Sequence, residues 1–330
     1  MRNAFTFASL LRRVAVAACA CTFATGAIAQ SDAWPNRVIT VVLPASAGGA
    51  SDTIARLMSQ KLSEALNTPV IVDNKPGGGG AIATDFVAKS KPDGYTLLSG
   101  FSEHSWMQHF SSKTPFDMNR DFVPIMLIAS VPNVVAINAS IKANTVSELV
   151  ALLKTQPGKF NFGSGGVGST LHLFGELFKK QTGTDIVHVP YKGANEANLA
   201  MIAGQIEMVF PTAVSIRQHV ASGKVRLLAV SSDERLAGYE NVPTVAEAGI
   251  PDFRIAIWYC LFAPANTPKE IVNRINAALV KGGNSPEVRE KMNAMGAKLI
   301  LSSPEEFGTF FRTEQKRWGD IIVGANIKFE

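Results

Sequence analysis

Between residues 38 and 66, hydrophobic positions form first a continuous run and then a helical pattern. The run Val38–Leu43 predicts a buried strand, and the small residues of Pro44–Ser51 predict a loop after it. Asp52 is a favourable N-cap residue, so we expect a helix to begin at about Asp52. The predicted apolar face of this helix comprises Ile54, Leu57, Met58, Leu62, Ala65 and Leu66.

The following segments continue this alternation of strand and helix. Strands are predicted at Pro69–Val72 and Tyr95–Leu98, with a short helix at Ala81–Ser90 between them. Such an order favours a mostly parallel sheet with right-handed crossovers, in which ligands lie at the carboxyl ends of the strands.

An apolar run at Val123–Ile137, interrupted by Pro124 and Pro132, is long enough to pass into a second domain. There the pattern restarts, and Arg254–Phe262 is a second apolar passage that returns the chain. Further helices are predicted at Val146–Lys154, Thr170–Thr182, Glu196–Ala203, Pro268–Lys281, Ser285–Met295 and Pro304–Ile322, and further strands at Lys159–Phe162, Ile186–Val189, Glu207–Phe210 and Val225–Val230. Two α/β domains with two crossings predict a clam-shell with its ligand at the domain interface. The expected limits are 30–130 and 254–330 for the first domain and 131–253 for the second.

The amino-terminal segment has the pattern of a secretory signal. Arg2, Arg12 and Arg13 precede the apolar stretch Val14–Ile28, and an Ala-x-Ala site predicts cleavage after Ala29. A membrane helix is less favoured, because the stretch is shorter than the ~20 residues that span a bilayer. Lipoprotein processing at Cys19 and twin-arginine export are weaker alternatives to ordinary cleavage.

Cleavage changes what composition implies. The formal net charge of +5 includes the three arginines of the signal, so the mature chain would carry about +2, which argues little for nucleic-acid or membrane partners. Of three cysteines only Cys260 would remain, in an apolar run that favours a buried, inert thiol. No internal disulfide or cysteine-rich zinc site is then available, and the histidines show no paired metal-ligand spacing. Neither a metal nor a cofactor is predicted.

The first loop has the features of an anion site. Glycines remove side chains where a ligand would approach the backbone, and the following helix presents its positive end. An ordinary tight turn between strand and helix is the alternative. The candidate ligand-binding residues here are Ala45, Ser46, Ala47, Gly48, Gly49 and Asp52.

A second glycine-rich loop, Gly163–Ser169, also lies between a predicted strand and a predicted helix. It matches G-x-G-x-x-G, but the following strand ends at Tyr191-Lys192 without the acidic residue of a dinucleotide site. The loop is therefore predicted to be a second carboxylate-sized cradle. Its candidate residues are Ser164, Gly165, Gly166, Val167, Gly168, Ser169, Thr170 and His172, of which His172 is expected either to contact a ligand or to brace the loop.

Several motifs in order resemble one known family, the Bug-type periplasmic receptors of tripartite tricarboxylate transport systems. They are Trp34-Pro35-Asn36-Arg37-Val38-Ile39, Ala47-Gly48-Gly49-x-x-Asp52, Asn74-Lys75-Pro76-Gly77-x-Gly79-Gly80, Pro92-Asp93-Gly94-Tyr95-Thr96-Leu97-Leu98, Gly163-Ser164-x-Gly166-x-Gly168-Ser169-x-x-His172-Leu173, His188-Val189-Pro190-Tyr191-Lys192-Gly193 and Val242-Pro243-Thr244-x-x-Glu247-x-Gly249. The resemblance implies a type II-like, two-domain periplasmic binding protein that closes over a small carboxylate and performs no chemistry. It also implies that Pro44–Asp52 and Ser164–Thr170 hold the two ends of the ligand, and that the receptor is a monomer serving membrane transporter subunits.

The sequence departs from the family at places that bear on the ligand. Ala45-Ser46 replaces a bulky aromatic residue, which predicts room for an aromatic or otherwise bulky mono- or dicarboxylate. Specificity is expected from Phe101, Ser102, His104 and the segment Phe210–Thr212 with its Thr212 hydroxyl, although the aromatic side chains there are equally suited to a core. The alternatives are a secreted nicotinamide-dependent oxidoreductase and a receptor of the same fold that serves a sensor kinase.

Overall fold

The computed structural model describes residues 34–109, 114–251, 253, 255–324 and 327. The predicted signal peptide and its cleavage after Ala29 lie outside the described residues. Contacts gather Arg37–Glu330 into one compact unit that holds two β-sheets.

The first sheet has six strands in the order β11-β4-β10-β3-β1-β2. Its amino-terminal elements are β1 (Ile39–Leu43), α1 (Ala50–Leu66), β2 (Val70–Asn74), α2 (Ala81–Ala88), β3 (Thr96–Phe101) and β4 (Phe122–Pro132), with 3-10 turns at Gly78–Gly80, Ser102–Ser105 and Met107–His109. Its carboxyl-terminal elements are β10 (Ala256–Pro264), α7 (Lys269–Gly283), α8 (Pro286–Ala294), β11 (Lys298–Leu299) and α9 (Pro304–Gly324).

The second sheet has five strands in the order β7-β6-β8-β5-β9. Its elements are β5 (Val134–Asn138), α3 (Val146–Thr155), β6 (Asn161–Ser164), α4 (Thr170–Thr182), β7 (Val187–Pro190), α5 (Ala194–Ile202), β8 (Met208–Val209), α6 (Ala213–Ala221) and β9 (Val225–Val230). The α/β architecture is confirmed, while the exact domain limits stay predictions.

Both sheets are mixed, although most strands of each run in one direction, as predicted; the exceptions are β10 and β11 in the first sheet and β5 in the second. Strand β1 is parallel to β2 and β3, but β10 is antiparallel to both β3 and β4. In the second sheet β6 is parallel to β7 and β8, and β5 is antiparallel to β8 and β9. The physical reason is the double crossing: β4 carries the chain out of the first sheet and β10 brings it back, so the two must run in opposite directions.

Strand directions also fix where the second sheet lies. Since β10 is antiparallel to both neighbours, β3 and β4 run the same way, and β4 leaves at the end where β1 and β3 have their carboxyl ends. Buried Asn133 lies at this crossing; its N–H donates to Ser231 Oγ at 2.8 Å, and its side-chain amide donates to the Phe210 carbonyl at 2.7 Å. Ser231 Oγ in turn donates to the Ile255 carbonyl, which joins the outgoing and returning chains.

Helix α9 packs into the cores of both halves. Phe307 and Phe311 belong to the first core with Trp258 and Phe262, whereas Trp318, Ile321 and Ile322 belong to the second core with Phe174. Cys260 is buried as predicted, and burial raises the pKa of its thiol well above the ordinary value. Its Sγ lies 2.9 Å from where a side chain on Gly100 of β3 would begin, so the thiol fills space that this glycine leaves.

Candidate functional site

The first candidate loop joins β1 to α1 at the carboxyl end of the first sheet. Helix α1 begins at Ala50, so the prediction of Asp52 as its N-cap is wrong. Gly49 is the N-cap residue, because its backbone is extended and its carbonyl accepts the first intrahelical hydrogen bond at 3.0 Å. Ser46–Ala50 is exposed, and the first N–H groups of a helix have no intrahelical acceptors. This end of α1 therefore presents donors suited to an anion.

Asp52 lies within the first turn and holds the loop from inside. Its carboxylate, in a residue only 5% exposed, accepts hydrogen bonds from Gly48 N–H at 3.0 Å, Arg56 Nε at 3.0 Å and Asn74 Nδ2 at 2.9 Å. The Arg56 guanidinium, aided by the Asn74 amide and the Gly48 N–H, lowers the pKa of Asp52 to about 2, so the carboxylate is ionised at neutral pH. Asn74 also donates to the Ala45 carbonyl at 3.0 Å. Asn74 was not predicted as a site residue, yet with Asp52 it fixes both sides of the loop.

The two glycines of this loop have different backbones. Gly48 has a φ of +91°, a conformation that favours glycine. Gly49 has a φ of −85°, and a Cβ placed on it would meet no atom nearer than Ser51 Oγ, at 3.9 Å. Ala47 and Ser46 are exposed beside them. Open space above Gly49 is what a ligand approaching the backbone requires.

The second candidate loop, between β6 and α4, is held by a buried hydroxyl. Ser164 is fully buried, and its Oγ accepts the Gly166 N–H at 3.0 Å and lies 2.6 Å from His188 Nε2. Gly165 packs closely on the start of α5, since a Cβ there would lie 3.0 Å from Ala194 N. The Ser164 side chain therefore shapes the loop from within.

His172 braces the same loop from α4. The Gly168 N–H donates to His172 Nδ1 at 3.1 Å, and the His172 and His188 rings stack with centroids 3.9 Å apart. Burial lowers the pKa of His172 to about 4 and that of His188 to about 3, so both rings are neutral at pH 7. A neutral ring leaves Nδ1 free to accept, as this bond requires. Of the two predicted roles, the structure shows the bracing one; Ser169 caps α4 by accepting the His172 N–H, and Val167 is exposed.

The segment after β3 meets the second loop directly. The Glu103 carboxylate accepts the Thr170 hydroxyl and, at 3.4 Å, the Thr170 N–H. Trp106 Nε1 donates to the Gly168 carbonyl at 3.1 Å, and buried Ser102 lies beside Glu103 with its Oγ 3.5 Å from Oε2. The prediction did not include Glu103 or Trp106, whose partners are more than 60 residues away along the chain.

The remaining specificity candidates divide between site and core. His104 is buried, with Nε2 3.2 Å from Thr84 Oγ1, and burial lowers its pKa to about 4. Phe210 is fully buried in the second core, whereas Phe101 is half-buried. Thr212 is half-buried at the start of α6 and pairs with Asn133 at the crossing.

These positions bring most candidates to one region. The first loop follows β1, Ser102 follows the adjacent strand β3, and the segment after β3 touches the second loop. Thr212 lies at the crossing between the sheets. Within the described residues, no helix is both long and apolar enough to cross a membrane, and no group of three acidic, histidine or cysteine side chains is arranged to hold a metal.

A sequence model of the tripartite tricarboxylate transporter family receptors matches residues 54–327. Protein BugT of Bordetella pertussis is 33% identical over 303 residues, which cover 91% of this chain and 93% of that protein. A solved structure described as a periplasmic transporter is 37% identical, with a TM-score of 0.81 over 90% of this chain and all of the other. An R. palustris protein solved with adipate is 32% identical, with a TM-score of 0.80 over 89% of this chain and 99% of its own.

Proposed function

Because the chain belongs to the tripartite tricarboxylate transporter family of receptors, we propose that it captures a small organic carboxylate in the periplasm and delivers it to the membrane subunits of such a transporter. The two-domain α/β clam-shell fold that it shares with periplasmic binding proteins supports this role. A receptor of this kind binds and releases its ligand without performing a reaction.

The observation that carries the proposal is the exposed amino-terminal end of α1 beside open space at Gly49. Helix α1 has 17 residues, and its first-turn N–H groups lie at the carboxyl end of β1, where the connecting loop is exposed. Asp52 and Asn74 hold this loop in place before any ligand arrives, which reduces the entropy lost on binding. A carboxylate accepting those N–H groups would gain charge-assisted hydrogen bonds.

The ligand is proposed to be bulkier than those of receptors with an aromatic residue at this loop. Ala45 is half-buried and contributes only a methyl group, which takes up much less volume than an aromatic side chain would. The related R. palustris protein was solved with adipate, a linear dicarboxylate. An aromatic or otherwise bulky mono- or dicarboxylate is therefore the first ligand to test, with linear adipate as the comparison.

The nicotinamide-dependent oxidoreductase is not favoured. The Gly166 and Gly168 N–H groups of the G-x-G-x-x-G loop already bond to Ser164 and His172, whereas a dinucleotide site needs such groups for the pyrophosphate. A receptor that serves a sensor kinase would have the same fold and site. Binding partners isolated from membranes would separate that alternative from transport.

The test is a thermal-shift screen of residues 30–330 against aliphatic and aromatic carboxylates, amino acids and nicotinamide cofactors. A ligand at about 100 times its dissociation constant adds roughly 2.7 kcal/mol of stability, which is readily measured. Stabilisation by a carboxylate is the expected result. Stabilisation by a nicotinamide cofactor alone would overturn the proposal.

A pair of variants then locates the carboxylate. Gly49→Val adds a side chain where the backbone is extended and space is open, so we expect the fold to persist and affinity to fall at least tenfold. Gly193→Val is the matched variant, because Gly193 is also an extended N-cap glycine with nothing within 4 Å of its Cβ position. Loss of binding in Gly193→Val alone would show that α5, and not α1, receives the carboxylate.

Processing and assembly complete the proposal. The mature protein is proposed to begin at Gln30 and to be a monomer. Intact mass of the exported protein and light scattering of the purified protein test these two points.

A further inference from the structure

Glu103 contacts the loop Ser164–Thr170, which the family resemblance implies holds one end of the ligand. It lies in the 3-10 turn Ser102–Ser105 after β3, and its Oε1 accepts both the hydroxyl and the N–H of Thr170. Thr170 is the first residue of α4, a helix of 13 residues. A carboxylate of the protein itself is thus bound at the positive end of this helix.

Three other N–H groups of the second loop are also engaged within the protein. The Gly166 N–H bonds to Ser164 Oγ and the Gly168 N–H to His172 Nδ1. The Ser169 N–H donates to the Gly166 carbonyl at 3.2 Å. A second ligand carboxylate at this end of α4 would have to displace the Glu103 carboxylate or bind in contact with it.

The surroundings of Glu103 make a ligand carboxylate beside it unfavourable. Burial, and to a smaller extent the nearby Glu103 charge, raise the pKa of the Tyr259 phenol on β10. His104 lies on the same turn and His172 on α4, and burial lowers the pKa of both to about 4, so neither carries a positive charge at pH 7. Burial raises the pKa of Glu103 above its ordinary value, because negative charge is poorly solvated here. A second carboxylate in contact would meet the same penalty and the repulsion of Glu103, so it could bind only if the pair took up a proton, which is unfavourable at pH 7.5.

Glu103 has one weak hydrogen bond that a better donor could replace. Its carboxylate accepts from Thr170 and from its own backbone N–H, whereas the Ser102 hydroxyl lies 3.5 Å from Oε2, at the outer limit of a hydrogen bond. The residue itself is partly exposed. A donor on a ligand, such as an amide or ammonium group, would satisfy Oε2, and a carboxylate would not.

We propose that Glu103 is a specificity-determining residue that selects ligands with one carboxylate, directed to the first loop, and an amide or amino group at the other end, and that it disfavours dicarboxylates. This inference rests on the proposed carboxylate-receptor function. It differs from the expectation that Pro44–Asp52 and Ser164–Thr170 hold the two ends of the ligand.

The test is calorimetric titration of residues 30–330 at pH 7.5 with length-matched sets of ligands. Each set holds a dicarboxylate, its monoamide and the amino acid of the same length. The sets are adipate with its monoamide and 6-aminohexanoate, succinate with its monoamide and 4-aminobutanoate, and terephthalate with its monoamide and 4-(aminomethyl)benzoate. In each set that binds, we expect the monoamide or the amino acid to bind at least tenfold more tightly than the dicarboxylate.

Two variants assign that preference to Glu103. Glu103→Gln keeps an oxygen that can accept from Thr170 but removes the charge. It is expected to reduce the ratio of the dicarboxylate's dissociation constant to that of the monoamide or amino acid at least tenfold. Glu306→Gln is the matched control, because Glu306 accepts the Ser303 N–H and hydroxyl at 2.8 and 2.9 Å at the exposed start of α9. This control is expected to leave the preference unchanged.

Three outcomes are distinguishable. A dicarboxylate that binds the parent as tightly as its monoamide overturns the inference, and so does a preference that Glu103→Gln leaves intact. Absence of binding by every carboxylate in parent and variants contradicts the proposed function itself. A preference that Glu103→Gln narrows and Glu306→Gln preserves supports both.

Discussion

Replacing Asp52 by Asn tests how the first loop is held. The substitution keeps the side-chain shape but removes the charge that the Arg56 guanidinium and the Gly48 N–H stabilise. A pKa lowered from 3.8 to about 2 corresponds to about 2 kcal/mol favouring the ionised form. The Arg56 side chain is 50% exposed, so solvent screening reduces the expected loss to about 1–2 kcal/mol. In a protein of this size that is a decrease in Tm of about 2–3 °C.

The pH dependence of this loss has a defined sign. The folded-state pKa of Asp52 is lowered, so its contribution is complete above the unfolded value near 3.8 and is lost as pH falls through about 2. Thermal denaturation of the parent and Asp52→Asn should therefore show the full difference at pH 5 to 7; the difference should begin to shrink below pH 4 and disappear at about pH 2.

The matched control is Asp93→Asn. Asp93 pairs with Arg37 at 2.8 Å, but the two side chains are 35% and 60% exposed, so we expect a change within about 0.5 kcal/mol. The reasoning about Asp52 is refuted if both variants melt within 1 °C of the parent at pH 7. It is equally refuted if the Asp52→Asn difference persists unchanged to pH 3.

Two further predictions concern the support of the second loop. Gly175→Ala places a Cβ 2.0 Å from the Phe162 ring, so overpacking should cost about 1–3 kcal/mol and lower the Tm in differential scanning calorimetry; an unchanged Tm would contradict the packing of α4 on β6. The fold lowers the pKa of His188 to about 3, so between pH 6.5 and 3 this side chain is protonated in the unfolded state but not in the native state. The free energy of unfolding therefore falls as pH drops below 6.5. His188→Gln, which can still donate to Ser164, should lose less Tm than the parent between pH 7 and 4.5, and parallel curves would count against a buried neutral ring.

Local signals predicted some elements well. Helix Thr170–Thr182 has its predicted bounds because Ser169 caps it with a hydroxyl and Gly183 ends it in a left-handed conformation. The start of α1 was misplaced because Asp52 is a stronger N-cap signal than Gly49, although the chain uses the Asp52 carboxylate to bind Gly48 instead.

Features that depend on distant partners were missed. The direction of a strand depends on the route that the chain takes between the two sheets, so no local sequence pattern predicts that β10 is antiparallel to its neighbours. Helix α6 and strand β11 were not predicted at all. Glu103 is an ordinary residue of an irregular segment until the fold brings it to Thr170. The positions of the two loops were therefore predictable from their glycine patterns, while the Glu103 carboxylate at Thr170 was not.

The most direct test of the central claim is a crystal structure of residues 30–330 with the carboxylate that stabilises the protein most. A ligand oxygen is expected within about 3 Å of the first backbone nitrogens of α1, between Gly49 and Ser51. A ligand whose carboxylate contacts neither α1 nor the loop before it would contradict the account.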